Sequence, residues 1–289
     1  MNLSVCTISL RHSLISLRQV GEWAACHQFS GIELWGVHAM NLKNHLDDEI
    51  PWLQQRGLGI SMLSDYLPLQ KSRQVMVDKM HGLCRLAQAC ATNKIRTFAG
   101  DKGSHEISSE ERQDWTVRLH HLCEIARDYG LDLVIETHPQ TLADTKESTI
   151  QLIGEVNHPS LRLNFDVLHV WESGEDPFTF IKEIEPLVAH MHLKNVRAKS
   201  FLQEFLPGNV YAPSGSREGM VQLFEGVFDY DRFLPFVMTD TSLWPMLDVS
   251  LEWFGPDVFT TLEKDAKALF SLEENLLGLV TQPQSATTI

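Results

Sequence analysis

The chain has 289 residues, 43% of them hydrophobic, and a formal net charge of −14. That size supports one large α/β domain or two ordinary ones, and a negative field without a Lys/Arg-rich block argues against nucleic acid as a partner. The start, MNLSVCTISLRHS, has no basic segment followed by a longer apolar run and cleavage site, and no apolar stretch is long enough to cross a bilayer, so a cytoplasmic protein without membrane contact is expected.

Short β-rich runs alternate with segments of helical period, the signature of βα units. In chain order the predicted strands are 3–9, 31–36, 58–63, 94–99, 131–136, 161–166, 188–193 and 247–252. The helices are expected over 16–28, 42–56, 71–91, 109–129, 146–156, 177–186, 229–239 and 257–275. In the fourth, Ser108 and Ser109 precede Glu110 and Glu111 as capping residues and N-terminal acids, and Trp115, Leu119, Leu122 and Ala126 form the apolar stripe. Eight strand-helix units predict a closed (β/α)8 TIM barrel. No GxGxxG turn follows the first strand to favour an open doubly wound sheet. A single domain over 1–278 is expected, with a polar tail over 279–289 and an abnormally long connection over 195–228 after the seventh strand. Loops of that length in a compact domain are commonly functional, and this one is read as a lid at the C-terminal face. The five cysteines (Cys6, Cys26, Cys84, Cys90, Cys123) are odd in number and lack CxxC spacing, which favours reduced thiols without a chemical role.

The last residues of strands five to eight are Glu136, Asp166, His192 and Glu252. In a closed barrel these ends converge on one mouth, and three carboxylates with one imidazole suit Mn²⁺, Mg²⁺, Co²⁺ or Fe²⁺ better than a thiolate-rich structural zinc site does. Taken singly, each is more often a solvated residue or an ion-pair partner; four at equivalent positions argue for a metal. His138, His169 and Lys194 follow these ligands at short spacing and are expected to rise from the mouth toward substrate, whereas His190 lies one layer deeper as a core histidine. Arg96 and Tyr66 end earlier strands, and Tyr211 and Arg217 lie on the long loop. Each has an ion-pair or packing role as an equal alternative, but with Lys194 they offer local positive charge to an anionic small molecule. Trp35, Trp171, Trp253 and Phe254 are candidates for an apolar wall, and Glu225 for a reserve ligand or loop anchor.

The E…DxxH…HxK…E order resembles the xylose isomerase-like TIM-barrel superfamily. Within it, GIELWGVHAMNL, NKIRTFAGDKGS, ETHPQTLADT, DVLHVWESGEDP, HLKN, MVQLFEG and SLEWFG are similar to the metal-dependent 3-dehydroshikimate dehydratases of the petrobactin type, from about residue 3 to about 270. The resemblance implies dehydration of 3-dehydroshikimate to protocatechuate, for siderophore synthesis or aromatic catabolism, with Glu136, Asp166, His192 and Glu252 holding Mn²⁺ foremost, or Mg²⁺ or Co²⁺. His138 is then the expected general base, with His169 its competitor or the acid for the departing hydroxyl. Lys194 would steady the enolate oxygen, and Tyr66, Arg96, Tyr211 and Arg217 would hold the carboxylate and hydroxyls. A sugar or ketose isomerase or epimerase is the nearest rival, and a non-catalytic ligand-binding barrel the next. A homo-oligomer is allowed but not specified.

Overall fold

A computed structural model describes residues 1–280. Eight parallel strands close a barrel: β1 (Asn2–Cys6), β2 (Gly31–Trp35), β3 (Gly59–Ser64), β4 (Lys94–Thr97), β5 (Asp132–Glu136), β6 (Leu161–Asp166), β7 (Val188–Leu193) and, after two short strands in the long connection, a last one over Asp248–Leu251. The two short strands, β8 (Asn195–Val196) and β9 (Met220–Val221), pair antiparallel, which makes the last barrel strand β10. β10 closes the ring between β1 and β7. The expected α/β barrel is therefore the observed one.

The strands are apolar because both of their faces are covered. Leu133, Val134 and Ile135 of β5 are all fully buried, one set against the outer helices and the other toward the barrel axis. The helix Ser109–Asp128 begins as its sequence predicts, with Ser108 Oγ accepting from the Glu111 amide at 3.2 Å, and it buries Trp115, Leu119, Leu122 and Ala126. Trp115 lies so close to Gly100, at φ +88°, that a Cβ there would meet its ring. Among the described residues no helix is long and apolar enough to cross a membrane.

Several boundaries differ from expectation for local reasons. The first strand stops at Cys6, and Thr7–Leu10 form a 3-10 turn. There Thr7 Oγ1 accepts from the Trp35 amide and Ser9 Oγ from the Trp253 amide, tying three strand ends together. The helix expected over 42–56 is two helices, Gly36–Leu42 and Leu46–Gln54, the first starting directly from β2. A further short helix, Val167–Glu172, springs from β6 without a loop. The terminal helix runs over Val258–Val280, past the expected start of the polar tail, and 281–289 lie outside the described residues.

The long connection is ordered by buried polar groups. Glu204 accepts from Gly219 N and Ser216 Oγ, and Asn195 Nδ2 donates to the Leu223 and Phe228 carbonyls. Asp265 of the terminal helix accepts from Leu223 N at 2.9 Å. Burial, reinforced by nearby Glu225, raises the Asp265 carboxyl from 3.8 to about 7. A folded-state pKa above the unfolded one gives stability that is fully present below the unfolded pKa and lost as pH rises through the folded one. Asp265→Asn, which can still accept from Leu223 N, is thus expected to raise Tm at pH 8 relative to the parent and to lose that advantage at pH 4; thermal unfolding at the two pH values checks it.

Candidate active site

Register brings the four strand-end donors together. Asp166 on β6 pairs directly with His192 on β7, and His192 with Ser250 on β10, two residues before Glu252. His192 Nδ1 lies 3.6 Å from Glu136 Oε1, 3.9 Å from Asp166 Oδ2 and 3.5 Å from Glu252 Oε1. All four residues are buried, and His192 Nδ1 has no hydrogen-bond partner. On the other side of its ring, Nε2 meets Glu33 Oε2 at 2.8 Å. Burial opposes charge on this ring, but Glu33, Glu252 and Glu136 more than reverse that and raise its pKa well above the ordinary imidazole value. With a proton on Nε2 alone, the Nδ1 lone pair would face three carboxylates, an arrangement that positive charge between them relieves, whether a proton or a metal ion. Ligand atoms of Asp166, His192 and Glu252 lie within 4.8 Å of one another, as do those of Glu136, Asp166 and His169. These spacings are compatible with a shared ion at about 2.0–2.2 Å from each donor, after small adjustments. The residues present therefore fit a divalent metal.

Two cations of the protein already face this acidic cluster. Lys194 Nζ bridges Asp166 Oδ2 and Glu252 Oε2, the latter at 2.7 Å. Burial pulls its pKa down, but Asp166, Glu252 and Glu136 more than reverse that and hold it charged. Arg96 Nε lies 3.0 Å from Glu136 Oε2 in an ion pair whose direction is not that of a hydrogen bond. Burial penalises the Glu136 carboxylate, yet Arg96 and then His192 bring it well below the ordinary range. Arg96 Nη1 is buried without a hydrogen-bond partner, which leaves a donor for a ligand oxygen.

The DxxH spacing acquires a local explanation. Asp166 is the N-cap of Val167–Glu172: its Oδ1 accepts from the His169 amide at 3.2 Å. That bond turns Oδ2 toward His192 and Lys194 and places the His169 ring above the site. His169 Nδ1 is 2.8 Å from Glu172 Oε2, with the two rings of His169 and His138 centred 4.5 Å apart. His138 Nδ1 is 2.7 Å from the Pro139 carbonyl, which can only accept, so Nδ1 carries the proton and Nε2 is the free base. Burial, then the neighbouring His169, holds the His138 pKa well below the usual imidazole value.

A cavity of about 30 Å³ adjoins these groups, walled by Ile8, Phe98, Phe205 and Phe254 and reached by Tyr66, Arg96, His138, His169, Lys194 and Glu252. The long connection roofs it: Tyr211 Oη donates to Tyr66 Oη at 2.5 Å across the opening. Of the sequence-predicted residues, all four metal candidates, His138, His169, Lys194, Arg96, Tyr66 and Tyr211 thus come together. Arg217 does not. Its guanidinium donates to the backbone carbonyls of Asn209, Val210, Ala212, Ser216 and Phe254, so it is a strut of the roof rather than a ligand-facing group. Glu225 is exposed and pairs with Gln222, outside the site. His190 is a core residue bonded to Ser250, as expected. Missing from the sequence reading were Glu33, Glu172, Phe98 and Phe205.

The model of xylose isomerase-like TIM barrels matches residues 22–273. The chain belongs to that family. A relative in it, the 3-dehydroshikimate dehydratase of Bacillus anthracis, is 43% identical over 93% of this chain and 96% of its own. The crystal structure of the probable 3-DHS dehydratase AsbF of Bacillus anthracis, described as involved in petrobactin synthesis, superposes with a TM-score of 0.89 over 93% of this chain and 99% of that one. At greater distance, the crystal structure of the IolI protein with a bound zinc atom shares the fold, with a TM-score of 0.73 at 20% identity over 96% of this chain and 99% of its own.

Proposed function

We propose that the protein is a hydro-lyase converting 3-dehydroshikimate to protocatechuate and water with a bound divalent cation. The observation that carries the reading is the likeness to the Bacillus anthracis dehydratase along nearly the whole of both chains, since the donor set alone suits an isomerase equally well. Glu136, Asp166, His192 and Glu252 would hold the cation, which supplies Lewis-acid stabilisation of negative charge on the substrate ketone. An oxygen-rich set with one nitrogen favours Mn²⁺, with Mg²⁺ or Co²⁺ as alternatives.

The protein's own groups account for the proton movements. His138, with Nδ1–H committed to Pro139 O, takes the proton α to the ketone at Nε2. His169, steadied by Glu172, protonates the β-hydroxyl as it leaves. Lys194 offsets charge on the developing enolate, and the unpartnered Nη1 of Arg96, with Tyr66 and Tyr211, receives the carboxylate and ring hydroxyls. The dienone left after loss of water is already an isomer of the product; removal of a second ring proton, with a proton returned to the ketone oxygen, yields the aromatic catechol and drives the reaction forward.

The test is direct. Protein reconstituted with Mn²⁺ and given 3-dehydroshikimate is expected to produce catechol absorbance that chelation removes and Mn²⁺ restores. Recovery of a rearranged, non-aromatic product would transfer the reading to an isomerase, and activity indifferent to chelator would remove the cation from it.

A further inference from the structure

Below the site, on β2, the barrel interior contains Glu33, fully buried and not among the residues that line the active-site cavity. The polar groups in contact with its two oxygens can all donate. Ser64 Oγ donates to Oε1, Arg96 Nη2 lies 4.0 Å from the same oxygen, and His192 Nε2 and His190 Nε2 lie 2.8 and 3.4 Å from Oε2. His190 is itself shared with Ser250 Oγ at 2.8 Å. An ionised carboxylate ringed by donors satisfies all of these contacts at once, and its shortest contact to an imidazole fixes where that imidazole carries its proton.

An imidazole can bind a cation through only one lone pair, and either ring nitrogen can supply it. For His192 the wrong choice is well baited: three carboxylate oxygens lie within 3.9 Å of Nδ1 and would accept a proton placed there. We infer that Glu33 is a positioning residue that keeps the His192 proton on Nε2 and so presents Nδ1 as a metal ligand. A carboxylate behind a ligating histidine orients the ring and strengthens it as a donor. Ser64, from β3, in turn holds Glu33 by its other oxygen, so three strands, β2, β3 and β7, contribute to the setting of one nitrogen. The inference rests on the reading of His192 as a ligand.

Zn²⁺, which is diamagnetic, serves as the probe. In ¹⁵N-histidine-labelled wild-type protein loaded with Zn²⁺, NMR is expected to show a slowly exchanging proton on His192 Nε2. Glu33→Gln is expected to weaken Zn²⁺ binding about 10- to 100-fold in equilibrium dialysis against a competing chelator and to lose the slow exchange at Nε2. Glu33→Asp, which keeps the charge, is expected to recover part of the affinity. A wild-type proton on Nδ1 overturns the inference even if neither variant folds, as does Glu33→Gln with unchanged Zn²⁺ affinity. His192→Ala separates the two levels. If it binds Zn²⁺ as tightly as wild type, the ligand reading of His192 fails; if it loses Zn²⁺ while Glu33→Gln does not, only the role of Glu33 fails.

Discussion

Glu136→Gln and Glu252→Gln are expected to emerge from dialysis without metal and to form no catechol above background. Glutamine preserves the shape of each side chain and removes only its charge, so the comparison isolates the electrostatic demand of the site. The loss of affinity is expected to exceed the roughly 10- to 100-fold typical of changes behind the ligands, because a donor itself is weakened. The two variants should differ in a second respect. Glu252 shares Lys194 with Asp166, so its neutralisation leaves that lysine one close partner. Glu136 is the close partner of Arg96, whose next carboxylate, Glu33, is 4.0 Å away. A buried guanidinium left largely unpaired is costly, and Glu136→Gln should therefore also have the lower Tm. Metal analysis after dialysis and a catechol assay decide the main point: a fully active, metal-free variant would sink the ligand assignment.

His138→Asn is expected to slow turnover by at least about 10²-fold while retaining metal, the usual cost of losing a general base. Asparagine can still donate to the Pro139 carbonyl but has no nitrogen that accepts a proton, so the change removes function with little disturbance of shape. The adjacent imidazole makes this a discriminating experiment. His138 is tied to a neutral carbonyl, and His169 to the Glu172 carboxylate, which suits the first to accept a proton and the second to deliver one. Single-turnover rates for His138→Asn and His169→Asn, with metal content measured alongside, test the division. Near-normal rates in the first with a large loss in the second would transfer the base to His169.

The barrel was legible because burial on both faces leaves β-rich apolar runs that no surface strand would show, and because the helices between them keep their period. The cluster of donors was legible for a topological reason: parallel strands all present their C-terminal ends to one mouth, so Glu136, Asp166, His192 and Glu252 could be collected without knowing any distance. Glu33 was not, although it interrupts the apolar run GIELWG. Its meaning depends on His192, far along the chain, and the contact exists only once the barrel closes. The place of Arg217 in the roof was hidden for the opposite reason, since its partners are backbone carbonyls that carry no residue-type signal. The helix Val167–Glu172 is too short to show a period, though Asp166 as its cap was present in the DxxH spacing.

The bond between Tyr211 and Tyr66 narrows the opening above a cavity of about 30 Å³. If a substituted six-membered ring reacts beneath it, substrate and product must both pass this roof. Turnover would then depend on how often the roof lifts, a gating step expected to respond to solvent viscosity and to loop residues remote from the chemistry. In the proposed reaction, closure would in turn keep bulk solvent from an enolate, so the same hydroxyl pair that delays entry would protect what happens after it.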